Sequence, residues 1–171
     1  HRPTLTATAE ARDALRRADA ILLAPGSLRT ALGSLLAVRG VRAAIGRGHA
    51  RLVAFVNLMT QPGNTDGFTA RDHLDELAGW LPRPVDVAVV HRGALPVGLV
   101  RLYARASAFP VVDDLAPVAG LRVVRARLAE HPGLRRRRAY ARGKNQAAGL
   151  HFLRHDPAAL ARVLTSLFRR P

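Results

Sequence analysis

Three apolar runs constrain this chain more than anything else in it: AILLA at 20–24, RLVAFVN at 51–57 and VDVAVVH at 85–91. They recur roughly every 30 residues, the length of a strand–helix–strand unit. Each is nearly continuous rather than alternating. That pattern suits strands covered on both faces of a parallel sheet. FPVVDD (109–114) and LRVVRARL (121–128) are shorter candidates of the same kind.

Helical spacing fills the gaps. Thr8 can N-cap AEARDALRRADA, with Ala11, Ala14, Leu15 and Ala18 on one face. After Ser27, Leu28, Ala31, Leu32, Leu35 and Leu36 keep a helical period. Thr69 with Asp72 resembles a capping box ahead of Leu74, Leu77, Ala78 and Leu81. Asp156 can cap a last helix with Pro157 in its first position; Leu160, Val163, Leu164, Leu167 and Phe168 form its apolar face. Alternating strands and helices predict an α/β, doubly wound, mostly parallel sheet. A basic loop is expected at about 131–149, which includes the run RRRR at 135–138.

A length of 171 residues fits one domain or part of a larger one, and there is no cysteine for disulfide or thiolate chemistry. No apolar run approaches a membrane span, and the start shows no signal-peptide pattern, so a cytoplasmic protein is expected. The chain opens on His1 rather than Met, which reads as processing, tagging or truncation. The net charge is +15, and Lys144 is the lone lysine among 27 basic residues. Such charge can serve nucleic acid through counterion release. The arginines are scattered, however, and two tyrosines and one tryptophan offer few stacking platforms. Arginine from a GC-rich genome explains the charge better.

Candidate ligand residues gather where strands should end, the usual place for ligands in open α/β sheets. In APGSLRT (24–30), Gly26 permits close backbone approach, while Ser27 and Thr30 put hydroxyls near free helix amides that favour phosphate. A ligand-free cap explains the same residues equally well. The connection NLMTQPGNTDGF (57–68) is longer and more polar than a strand-to-helix joint requires. Asn57, Thr60, Gln61, Asn64 and Thr65 offer donors and acceptors suited to a base edge or sugar hydroxyl, or else to capping their own loop. Arg92, just past a strand, can fork a phosphate or carboxylate, or simply be solvated.

Other motifs fail. Ser27 lacks the small flanks of a nucleophile elbow. GRGHAR (46–51) precedes a strand rather than following one, and RGK (142–144) lacks the rest of a phosphate loop. His151 and His155 sit four apart beside Asp156, but no further cluster completes a metal site, and Asp156 serves better as a cap. No carboxylate pair stands out as an acid–base dyad.

ADAILLAPGSLRT, then VAFVNLMTQPGNTDGFTARDHL, then RHDPAALARVL resemble, in order, the YvcK or gluconeogenesis factor family of the CofD-like proteins. The resemblance implies a Rossmann-like three-layer α/β/α fold. It also implies a binding protein for UDP-N-acetylglucosamine, acting in carbon metabolism, cell-wall precursor supply and cell shape. Gly26, Ser27 and Thr30 would then lie near phosphate or sugar. Asn57, Thr60 and Gln61 would line the pocket, with Arg92 a looser member. The alternative it implies is a CofD-like transferase, moving a phospholactyl or phosphoenolpyruvyl group to a deazaflavin; only that chemistry would call for magnesium. A protein partner enzyme and a homo-oligomer are further expectations, and the third function considered is nucleic-acid binding.

Family members differ at three positions, with Gly at the place of Ala24, Tyr at that of Arg29 and Glu at that of Asn64. Arg29 would therefore reshape the pocket wall or add a phosphate contact. The family's upstream glycine-rich loop has no counterpart here. Residues 1–171 are thus expected to be the C-terminal part of a single family domain.

Overall fold

The computed structural model describes residues 5–130 and 153–169. Four strands, β1 (Ala20–Leu23), β2 (Arg51–Phe55), β3 (Val87–His91) and β4 (Arg122–Ala126), form one sheet in that spatial order. Every pairing is parallel, with Leu22 beside Val53, Ala54 beside Ala88 and Val89 beside Val124. All four carboxyl ends therefore meet along one margin of the sheet.

Alternation along the central strands divides the core. Leu52, Ala54, Ala88 and Val90 face one side, with Leu28, Leu36, Val41, Ile45, Leu74 and Leu77 packed over them. Val53, Phe55, Val87 and Val89 face the other, with Tyr103, Val163 and Leu167. The first layer comes from α2 (Ser34–Leu36), α3 (Val41–Arg47) and α4 (Ala70–Trp80), with α1 (Ala9–Arg17) outside α3. The second comes from α5 (Val97–Ala104) and α6 (Pro157–Phe168). This is the parallel α/β sheet the apolar runs predict, in the three layers the family resemblance implies.

The caps predicted at Thr8, Thr69 and Asp156 are present, while Ser27 makes no side-chain cap bond. Thr8 accepts from the Ala11 amide, and Thr69 and Asp72 close a reciprocal capping box. Asp156 accepts from the amides of Ala158 and Ala159, with Pro157 in the first turn.

Four details differ from the sequence expectation. AILLA forms an edge strand rather than a fully buried one, and Leu22 is exposed. The helix after Ser27 starts as a π-helical segment, Leu28–Gly33, because the Leu32 amide reaches back to the Ser27 carbonyl. FPVVDD is extended without joining the sheet; it instead brackets the long connection, with Thr60 N–H donating to Phe109 O and Val111 N–H to Leu58 O. Phe168, expected on the buried face of α6, is 41% exposed. Helices α3 and α5 were not anticipated. The basic loop at 131–149, with its arginine run, lies outside the described residues.

Candidate functional site

A cavity of ≈ 630 Å³ opens at the carboxyl ends of β1 and β2. Its wall includes Pro25 and Gly26 after β1, the stretch Asn57–Pro62 with Asn64 after β2, and Tyr103, Arg154 and His155 from the opposite layer. Its size lies within the range of small-molecule sites.

Two amide side chains tie the walls together. Asn57 accepts from the Gly26 N–H (3.1 Å) and donates to the Gly26 carbonyl (2.8 Å). Asn64 donates to Ser27 Oγ (2.8 Å) and accepts from the Arg29 N–H (3.3 Å). The rest of the connection largely satisfies itself. Thr65 Oγ1 accepts from the Gln61 N–H, Asp66 from the Gly63 N–H, and buried Thr60 accepts from the Phe109 N–H. Gly63 and Gly67 stand at φ 72° and 70°, where a side chain would be strained. Much of the polarity at 57–68 is therefore the cost of folding a sharp, buried-ended loop.

What remains is small and specific. Gln61 Oε1 and His155 Nε2 are buried without a hydrogen-bond partner, and both residues line the cavity. Burial holds the His155 imidazole down to about 4, against the pull of a hydrogen bond to the Val56 main chain and with some help from nearby His91. It is therefore neutral near pH 7. His91, which ends β3, is lowered as well, again mainly by burial. Its Nδ1 accepts from the Leu128 N–H (2.9 Å) and the Ala129 N–H (3.3 Å), which joins β3 to the chain following β4.

Of the ligand candidates singled out in the sequence, Gly26, Asn57, Thr60, Gln61 and Asn64 meet at this cavity. Ser27 and Thr30 do not line it; their hydroxyls bond each other, and the Gly26 N–H that would meet a phosphate is taken by Asn57. Arg92 belongs to other cavities, beside β4 and α5, because β3 carries it away from the β1–β2 cleft. Arg29 is not a free phosphate contact either: it pairs with Glu76 at 2.7 Å and stacks over Phe68. His155 is the residue sequence reasoning undervalued, having considered it only as half of a metal corner. Its signal was its place in RHDP, where Asp156 caps α6; the His155 backbone bridges to Ala129 after β4, and its ring reaches the Val56 main chain just past β2. Among the described residues no carboxylate lines the cavity. That donor set does not fit a resident magnesium ion, which prefers carboxylate oxygen.

The comparisons agree with this architecture. The family model described as "2-phospho-L-lactate transferase CofD" matches residues 1–129. A relative in Aquifex aeolicus is 33% identical over 92% of this chain and 44% of its own. The gluconeogenesis factor of Halalkalibacterium halodurans is 40% identical over 61% of this chain and 33% of its own, and that of Bacillus subtilis is 30% identical over 94% and 46%. Two crystal structures of a Bacillus halodurans protein, one described as a UPF0052 family member, superpose with TM-scores of 0.76 and 0.75 at 28% identity, covering 93% and 92% of this chain and 47% and 46% of theirs. The chain thus spans less than half the length of these relatives. With three-quarters of its length under the family model and its fold shared, the chain belongs to the CofD-like family, in its gluconeogenesis factor (YvcK) branch.

Proposed function

We propose that the cavity between β1 and β2 binds a nucleotide sugar of the UDP-N-acetylglucosamine type. The protein would act as a regulator of carbon metabolism, cell-wall precursor supply and cell shape rather than as a catalyst. The observation that supports this most is the pair of unpartnered acceptors, Gln61 Oε1 and His155 Nε2, on two residues that line the cavity. Buried acceptors cost free energy until a donor reaches them. A uracil N–H, sugar hydroxyls and an acetamido N–H supply such donors. Gly26 and Asn57 shape the floor, and the signal would pass through differential affinity for a partner enzyme. A CofD-like transferase is the second reading, favoured by the description of the matching family model. It would need an acidic metal-handling group, and among the described residues none lines this cavity.

Calorimetric titration of UDP-N-acetylglucosamine into the chain tests the proposal. The expected result is saturable binding, about tenfold weaker in Gln61→Ala. Gln61 is the better probe than Asn57. Asn57→Ala releases both bonds to Gly26 and would weaken binding even if Asn57 never met the ligand. Equal affinity in wild type and Gln61→Ala would refute the assignment of Gln61.

A further inference from the structure

A second cavity, of ≈ 360 Å³, lies between the outer strand β4 and α6. Its floor is apolar, made by Val124, Ala126, Val163 and Leu167, and its rim carries Arg92, Arg122, Arg127 and Arg162, with Ser166 beside them. Among the described residues, no hydrogen bond or ion pair engages any of these four guanidinium groups. Arg125, which also lines the cavity, shows the contrast: it forks onto Asp113 at 2.5 and 3.1 Å.

Among the described residues no carboxylate lines this cavity; Glu130 stands with Arg92 and Arg127 at a neighbouring one. Residues 131–152, outside the described part, contain no Asp or Glu. An anion from solution would supply the counter-charge inside the groove. Scattered surface arginines keep apart and stay hydrated. Four around one concavity repel one another and together attract an anion into it. Guanidinium forks match phosphate oxygens two at a time, so four forks suit two phosphate groups.

We propose that this groove binds a small molecule bearing two or more phosphate groups, independently of the nucleotide-sugar cavity. The apolar floor takes the ligand's carbon frame, and Ser166 offers a hydroxyl at its edge. A nucleic-acid backbone fits less well. The site is a confined concavity rather than a track, and no aromatic side chain lines it among the described residues for bases to stack on.

The test is calorimetry with inorganic pyrophosphate on the whole chain, at low and moderate salt. It compares wild type, the double variant Arg122→Gln/Arg162→Gln and Gln61→Ala. Both arginines are exposed, so the double variant should keep the wild-type melting temperature. Saturable binding in wild type is expected, weakened about tenfold or more in the double variant and unchanged in Gln61→Ala. Absence of binding in wild type overturns the proposal, as does equal binding in the double variant. Displacement of pyrophosphate by a short single-stranded DNA that binds more tightly, with a steep salt dependence, overturns it in favour of nucleic acid. Failure of the UDP-N-acetylglucosamine titration leaves this result intact, because the two cavities share no lining residue.

Discussion

Leu52→Ala is expected to lower the unfolding free energy by about 3 kcal/mol, within the range for a fully buried leucine. Leu52 has no exposed surface and sits in β2, between β1 and β3. Its side chain belongs to the core shared with Val41, Ile45, Leu74 and Leu77. Its neighbours come from a sheet and two helices, so they cannot close together over the missing methyls without shifting an element. Leu35→Ala is the matched control. Leu35 is 58% exposed and should cost no more than about 0.5 kcal/mol. Urea unfolding of the two variants measures both values. A cost below about 1 kcal/mol at Leu52 would mean that β2 is not the centre of the core.

The second large effect is on the pH dependence of stability. In the unfolded chain a histidine takes up its proton near pH 6.5; in the folded chain His155 does so only at about 4. Between those values the unfolded state binds the extra proton. The contribution of His155 is therefore fully present above about pH 6.5 and is lost as the pH falls toward 4. From pH 7 to pH 5 the loss should be about 1–2 kcal/mol, allowing for partial solvent exposure of the ring. His91 and His73 are lowered by burial too and add in the same direction. Urea midpoints at pH 7, 6 and 5 should fall for wild type, and the fall should be shallower in His155→Gln. Parallel curves for the two proteins would show that His155 titrates normally in the folded state.

The parts of the fold legible in the sequence were those set by local chemistry. Continuous β-branched runs located β2 and β3. Thr8, Thr69 and Asp156 marked helix starts because a cap needs only its own next turn. Tertiary context decided the rest. AILLA reads as buried, yet among the described residues β1 stands at the edge of the sheet, and no property of those five residues reveals that position. FPVVDD has strand composition, but its hydrogen bonds go to Leu58 and Thr60 rather than to a strand. At the candidate site, some polar residues of 57–68 line the cavity and others bond within their own loop. Asn57 and Asn64 brace one loop against another that lies more than 30 residues away, a pairing visible only once β1 and β2 are adjacent. Gln61 and His155 became distinct because, of the residues with unpaired buried atoms, these two line the cavity. The arginine groove was illegible because Arg92, Arg122, Arg127 and Arg162 come from three separated segments.

The central claim is that a nucleotide sugar is read at the carboxyl ends of β1 and β2. The most direct measurement is a titration of the nitrogen-15-labelled chain with UDP-N-acetylglucosamine, followed by the side-chain amide signals of Asn57, Gln61 and Asn64. The account predicts that the Gln61 signal moves most, that the backbone amide of Gly26 moves with it, and that the guanidinium signals of Arg122 and Arg162 stay in place. Shifts confined to the arginine groove, or no shift at Gln61 at saturating ligand, would contradict it.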